Sequence, residues 1–260
     1  MLNYVLRRLA QAGLILLGVS FITFALLYVL PADPAVQIAG RSATPETVAS
    51  IRAQLGLDQP LLAQYWNYLS NLAQGDFGRS YLQKTEVSTL IQSRIGPSLS
   101  LMFFAILIEL IIGLSAGIYS AMRRGKLSDN VVMVSSFVAI SAPQFIISIF
   151  VLYIFAVKLG WFPIGGYGKP IHYVLPALTL GILGSGWYSR VMRSSMIDVL
   201  RQDYIRTARA KGAPISRIIR VHAFKNAVLP IIAMIGLDIG IFMGGIVVVE
   251  SVFGWPGIGQ

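Results

Sequence analysis

DVLRQDYIRTARAKGAPISRIIRVHAFKNAVLP, Asp198 to Pro230, is a polar stretch set between two long apolar segments, and the rest of the chain is organised around it. It reads as two short helices joined at a turn. The first covers about Val199 to Lys211, which holds few helix-breaking residues. Gly212 follows where a left-handed cap residue costs least. Pro214 stands where the next helix starts, since a first-turn proline loses no needed hydrogen bond. In that second helix Ile215, Ile218, Ile219 and His222 share one face, at i, i+3, i+4 and i+7, with Arg217 and Arg220 outside it. A short amphipathic helix outside a bilayer must lay its apolar face on something: lipid headgroups, the protein's own helices or a partner.

The chain has 260 residues, 55% hydrophobic and 12% charged, with mean hydropathy +0.70. Soluble domains carry roughly a quarter charged residues, so the composition is that of a multi-span helical membrane protein. The absence of cysteine excludes a disulfide scaffold, a thiol nucleophile and a thiolate metal site. The net charge of +10 raises the question of nucleic acid, which the placement of the charge answers.

Five apolar segments are each long enough to cross the hydrocarbon core as a helix, for which about 20 residues suffice. They are about 9–32, 95–122, 130–157, 170–197 and 226–250, with a loop at 33–94 and another at 198–226, all within one transmembrane domain over 1–260. A signal-peptide reading of the first fails, because the run is too long and no small-x-small cleavage site follows it. Basic residues alternate in place: Arg7 and Arg8, then Arg123, Arg124 and Lys126, then nine basic against two acidic residues from Arg190 to Asn226, together 14 of the 21. The positive-inside rule makes these segments, the N-terminus among them, cytoplasmic and the 33–94 loop external. The charge is mostly an orientation signal, and no separate basic domain exists to bind nucleic acid.

Arg206-Thr207-Ala208-Arg209-Ala210-Lys211-Gly212 resembles the cytoplasmic loop of permease subunits of ATP-binding-cassette importers, in the dipeptide, oligopeptide, glutathione and nickel branch. The general family pattern is Glu-Ala-Ala, three residues, Gly, then Ile-x-Leu-Pro. Here Arg206-Thr207-Ala208 stands for Glu-Ala-Ala, and His222-Ala223-Phe224-Lys225-Asn226-Ala227 with Leu229-Pro230 follows, departures that look like this branch's usual form. The resemblance implies an all-α membrane fold, the multi-span bundle of type I importer permeases (MetI-like), five spans present and a sixth missing beyond Gln260. It implies a bacterial inner-membrane subunit whose loop, through Arg206, Thr207, Ala208, Lys211, Gly212, Ile215, Ile218 and His222, docks on ATPase subunits. The implied partners are a second permease, by branch habit a different chain, two ATP-binding subunits holding ATP and Mg, an external substrate-binding protein and membrane lipid. The chain itself would carry no cofactor and no catalysis.

The remaining motifs fit this frame. Leu30-Pro31-Ala32-Asp33-Pro34 fixes a turn after the first span. In the external loop Thr44-Pro45-Glu46 opens a helix, Leu55-Gly56-Leu57-Asp58-Gln59-Pro60 closes it, and a second helix places Leu62, Tyr65, Trp66 and Leu69 on one face. Gly75-Asp76-Phe77-Gly78-Arg79-Ser80 makes a tight turn. These strings also resemble the peptide-permease branch, so the loop either receives the binding protein or only caps the bundle. Gly113-Leu114-Ser115-Ala116-Gly117 fits Gly-x-Ser-x-Gly. It lies in a continuous apolar helix, where no nucleophile elbow forms, and a close helix-packing face is the better reading. Pro143 kinks the third span, either beside a pathway or as plain packing. Gly165 to Lys169 lacks the spacing and the following Ser or Thr of a phosphate loop, so a different subunit must bind any ATP. Gly236, Gly240, Gly244 and Gly245 line one face of the last span for a close neighbour.

Glu109 and Asp238 are the only charges deep in the spans. Each faces either a translocation path, with Pro143 a further candidate for it, or a polar partner on a neighbouring helix. Glu250, at the outer edge of the last span, can snorkel to the interface. The leading function is therefore a permease subunit for di- or oligopeptides or glutathione. Nickel or another small solute is the alternative within the family. A secondary transporter using Glu109 and Asp238 as ion sites ranks below it, weakened by the lack of a clear internal repeat. An intramembrane enzyme ranks last, since His172 and His222 lie near opposite faces.

Overall fold

The computed structural model describes residues 1–28, 34–40, 43–80 and 83–260. The elements in order are α1 (Leu2–Tyr28), α2 (Pro34–Ala39), α3 (Pro45–Gln54), α4 (Leu61–Ala73), a two-stranded antiparallel hairpin of β1 (Arg79–Ser80) and β2 (Thr85–Glu86), α5 (Val87–Met122), α6 (Leu127–Ser141), α7 (Gln144–Leu152), α8 (Pro170–Leu200), α9 (Asp203–Ala210), α10 (Ile215–Arg217), α11 (Phe224–Ala227), α12 (Leu229–Gly245) and α13 (Val247–Val252). Wide π-helical turns continue α7 over Tyr153–Lys158 and join α10 to α11 over Ile218–Ala223. The chain divides into two compact units, 1–91 and 92–260.

In the first unit α1 begins at Leu2, so Arg7 and Arg8 already lie within its first turns. Tyr65 of α4 reaches α1, where its hydroxyl donates to the Leu17 carbonyl (3.2 Å) and meets the Ser20 hydroxyl (2.9 Å). Phe21 stands edge-on to Tyr65 at 5.6 Å between centroids, and Phe24 packs on Tyr65 and Tyr68. This turns the inward face of α4 to Tyr65, Tyr68 and Leu69 and leaves Leu62 and Trp66 exposed, unlike the face expected from spacing alone. An aromatic side chain with a polar tip goes where both its ring and its hydroxyl find partners. Thr44 caps α3 as expected, accepting from the Thr47 N–H at 3.3 Å with Pro45 in the first turn. The backbone N–H of Glu46 and the Thr44 hydroxyl hold the Glu46 carboxyl below its ordinary range. Gly56 (φ +65°) ends α3. The Asp76 carboxylate accepts from the Gly78 N–H at 2.8 Å to form the turn before the hairpin. Of the Leu30–Pro34 turn, Leu30 to Asp33 lie outside the described residues, and Pro34 opens α2.

The second unit is built on α8, against which α5 and α6 lie with almost no side chain between them. A Cβ added at Gly117 of α5 would sit 2.6 Å from the Ser189 carbonyl oxygen, and one at Gly186 of α8 would sit 2.6 Å from the Ser136 carbonyl oxygen of α6. Gly113 and Gly181 sit in the same kind of contact between α5 and α8, so the Gly113/Gly117 pair is a packing face as its spacing suggested. One core cluster gathers Leu101, Leu175, Leu180, Val249, Phe253 and Trp255, and a second gathers Tyr188, Met192, Met196, Ile205, Ile218 and Ala223.

By length and composition two described helices qualify as membrane crossings alone, Leu2–Leu26 and Val87–Met122. Up to four do if each of two bent pairs is one span. α8 has 31 residues, a length of about 46 Å at 1.5 Å per residue. The expected kink at Pro143 is instead a break: α6 and the helix after it meet at 100°. The proline ring disfavours the helical conformation at Ala142 and supplies no N–H of its own. Ala142 (ψ 127°) and Pro143 (ψ 125°) are accordingly both extended. The Gly236, Gly240 and Gly244 stripe faces open space, with no neighbouring atom of the described residues within 4 Å of a Cβ at any of the three.

Candidate functional site

The loop after α8 is held by its own chemistry. α8 ends at Leu200, Gln202 is extended (ψ 152°), and α9 starts at Asp203. The Arg206–Asp203 pair at 3.2 Å is exposed on both sides and contributes little. At the far end of α9 the Gly212 N–H donates to the Arg209 carbonyl (2.9 Å) and the Ala213 N–H to the Ala208 carbonyl (3.1 Å), with Gly212 at φ +77°. This pair of bonds around a left-handed glycine is the Schellman arrangement, which satisfies carbonyls that a helix end otherwise leaves open. Pro214 caps the next helix from one position earlier than expected, its carbonyl accepting from Arg217 and Ile218.

The second helix differs from its simple periodicity. Through the π turn the buried positions are Ile218, Ala223 and Ala227. Of the expected face of Ile215, Ile218, Ile219 and His222 only Ile218 is buried: Ile215 is 49% exposed, and Ile219 and His222 are half-buried. A π turn adds a residue to one turn of helix, so every inward position after Ile218 moves along by one. The inward residues rest on Met192 and Met196 of α8 and on Ile205 of α9. The protein's own helices thus cover Ile218, Ala223 and Ala227, and of the expected face they leave Ile215 exposed.

The outward side of the loop carries Arg206, Thr207, Lys211, Gly212 and Ile215. A cleft of about 580 Å³ lies between α9 and the second helix. It brings together Thr207, Ala208, Lys211, Gly212 and His222, with Tyr204 and Arg217 beside them. The Asn226 amide donates to the Tyr204 hydroxyl at 2.8 Å. Tyr204 and Arg217 were missed in the sequence, although Tyr204 stands three and four residues before Thr207 and Ala208 on one helix face. Arg206, Ile215 and Ile218 do not line the cleft. Ile218 instead anchors the loop from below.

Glu109, Asp238 and Tyr188 meet between α5, α12 and α8. The Tyr188 hydroxyl donates to the Asp238 carboxylate. Glu109 lies beside that carboxyl and against Gly184, is 2% exposed, and leaves Oε2 without a hydrogen-bond partner. Pro143 belongs to the α6–α7 break rather than to this cluster. Asp238→Asn keeps an oxygen for the Tyr188 hydroxyl, so solute uptake by that variant is expected to stay within about twofold of the parent. Asp238→Leu orphans a buried hydroxyl and is expected to lower stability by about 1–3 kcal/mol. Uptake and thermal melting of the two variants in parallel check both. Among the described residues no group of three acidic or histidine side chains is placed to hold a metal ion.

The described residues form a mainly helical, strongly apolar chain whose polar loop is capped at a left-handed glycine and seated on its own helices. The chain belongs to the family described as "Binding-protein-dependent transport system inner membrane component", whose model matches residues 113–260. A companion model for the N-terminal part, "Binding-prot-dependent transport system membrane comp, N-term", matches residues 1–102. The chain is similar to the glutathione transport system permease protein GsiC of Shigella flexneri serotype 5b (strain 8401), 42% identical over 260 residues, which is 100% of this chain and 85% of that protein. It is likewise similar to the proteins of that name from Salmonella typhi, 43% identical, and Escherichia coli (strain K12), 42% identical, with the same coverage of each. It is thus a multi-pass permease subunit of an ATP-binding-cassette importer with the all-α MetI-like fold.

Proposed function

We propose that this subunit forms part of the translocation path for glutathione or a similarly short peptide, and that its 198–226 loop is where ATP-binding subunits attach. The observation that carries the reading is the Schellman-capped turn at Gly212, which fixes an outward-facing row of Arg206, Thr207, Lys211 and Ile215 on a loop rooted in α8. The substrate class is supported by the printed activity of the relatives. In this reading residues 1–260 form one permease domain with five crossings, a cytoplasmic N-terminus in the bacterial inner membrane and a cytoplasmic 198–226 loop, as the basic residues direct. The 33–94 loop faces outward to an external binding protein. A second, different permease chain completes the path, and two partner subunits bind Mg and ATP. Closure of those subunits on ATP swings the two loops together and turns the path outward, and hydrolysis resets it. Glu109, Tyr188 and Asp238 hold three helices of this chain to one another, and Pro143 sets the direction of α7.

The test is gentle extraction of the tagged full-length protein with its native partners, identification of what co-purifies, and uptake of glutathione, dipeptides and nickel by the reconstituted complex. ATPase subunits, a second permease and ATP-dependent glutathione or peptide uptake are expected. Nickel uptake alone would replace the substrate. Transport by the chain alone without ATP would replace the class with an ion-coupled carrier.

A further inference from the structure

The buried groups of the second unit include one ionic node that the loop itself does not use. Asp129, in the first turn of α6, is 1% exposed. Its two carboxylate oxygens accept from Nε and Nη2 of Arg193 on α8, each at 2.7 Å. The same carboxylate accepts from the Ser120 hydroxyl near the end of α5 and from the N–H of Gly125, at 3.0 Å, in the turn between α5 and α6. Four donors from three segments therefore converge on one carboxylate. A bidentate guanidinium–carboxylate pair fixes direction as well as distance.

The position of the node is informative. Arg193 lies one turn past Ser189, whose hydroxyl meets that of Ser136 of α6 at 2.6 Å. It stands beside Met192, whose Cβ would lie 2.7 Å from a Cβ on Gly117 of α5. Close-packed contacts of this kind leave α5, α6 and α8 no room to slide past one another. Beyond Arg193, α8 runs on to Leu200 and after Arg201 and Gln202 α9 begins, and Met192 and Met196 beside Arg193 pack in one cluster with Ile205 and Ile218 of the loop. The node ties the α5–α6 turn to α8 where the loop is rooted.

We propose that the Asp129–Arg193 pair is the positioning contact that makes the α5–α6 turn travel with the loop, so that a displacement imposed on α9 moves α5, α6 and α8 as one body. This rests on the reading of the 198–226 loop as the attachment point of the ATP-binding subunits. Removing the pair lets α8 yield at its end, and the displacement is then absorbed locally instead of reaching the bundle.

The complete importer, reconstituted in vesicles, tests this with Asp129→Asn, Arg193→Gln, the double variant and Gly212→Val as a control. Uptake per ATP hydrolysed is expected to fall about tenfold or more in both single variants, with ATP-binding subunits still attached. The double variant leaves no unpaired charge, and such neutral pairs often restore stability. It is expected to melt like the parent and still transport poorly, which a purely structural pair does not predict. The cysteine-free sequence also permits spin labels at Arg124→Cys and Arg209→Cys, both exposed. Their separation is expected to stay constant when ATP binds the parent complex and to change when it binds the Asp129→Asn complex. Parent-like uptake per ATP in Asp129→Asn, or a separation that changes equally with and without the pair, overturns the proposal while inactive Gly212→Val keeps the loop reading intact. Normal uptake by Gly212→Val overturns the loop reading and this proposal together.

Discussion

Gly212→Val is expected to abolish ATP-driven uptake while leaving the chain inserted in the membrane. The reason is conformational rather than steric. Among the described residues nothing lies within 4 Å of where a Cβ would be, yet the residue sits at φ +77°. An L-residue there costs about 1–2 kcal/mol, and a β-branched one more. The loop relieves that strain by releasing the Gly212–Arg209 and Ala213–Ala208 bonds, which rotates α9 against the second helix and scatters the cleft residues Thr207, Lys211 and His222. The buried seat of Ile205, Ile218 and Ala223 on α8 is untouched, so the fold survives. A graded series separates this from a general defect. Asn, which tolerates the left-handed region, should retain most uptake, Ala less, and Val about a tenth or under. Uptake, ATP hydrolysis and retention of ATP-binding subunits measured across the series check it. Equal uptake by the Asn and Val variants would remove the turn from the coupling pathway.

The parts of this fold that were legible in the sequence are those that local physics decides. Apolar runs gave the helices, Thr44-Pro45 gave a helix start, Gly212 gave the cap, and Gly113 with Gly117 gave a packing face. Each depends on a few neighbouring residues. The misread parts depend on something local spacing does not carry. A π turn over Ile218–Ala223 leaves no mark in a pattern counted at 3.6 residues, so His222 was grouped with Ile218 where Ala223 is the buried residue. Pro143 was visible as a perturbation, but two successive extended residues make a break of 100° where one distorted turn makes only a kink. The pairing of Tyr188 with Asp238 joins residues 50 apart, and that of Arg193 with Asp129 joins residues 64 apart. Only the packing of α8 brings them together. The acids Glu109 and Asp238 stood out in the sequence as expensive groups deep in apolar segments. Asp238 accepts from Tyr188 of α8, while Glu109 lies beside that carboxyl with its Oε2 unpaired among the described residues.

Glu250→Ala is expected to be the most destabilising single change in the second unit. The sequence placed this acid at an interface where it could reach water, but the carboxylate is 0% exposed. Its Oε1 accepts from the Ser98 hydroxyl at 2.6 Å and its Oε2 from the Gln260 N–H at 3.0 Å. Ser98 in turn accepts from the Ile258 N–H at 2.9 Å. The Trp255 indole N–H donates to the Pro97 carbonyl at 3.0 Å, and its ring stands edge-on to Tyr173 at 4.5 Å between centroids. One carboxylate thus folds residues 253–260 back over the start of α5. Truncation to Ala orphans the buried Ser98 hydroxyl, frees the Gln260 N–H and opens a cavity, a loss of roughly 3 kcal/mol that lowers the melting temperature by about 6–12 °C. Glu250→Gln retains the volume but offers one acceptor oxygen in place of two, and its amide N–H₂ must face either the Gln260 N–H or the Ser98 hydroxyl. It should lose about half as much as Ala. Ser98→Ala removes one donor and the acceptor for Ile258, and in combination with Glu250→Ala it should add little, because both act through the same contact. Melting of the detergent-solubilised variants reads all three. Full additivity of Ser98→Ala and Glu250→Ala, or a Glu250→Ala melt equal to the parent's, would mean that the 253–260 fold is held by the aromatic contacts of Trp255 instead.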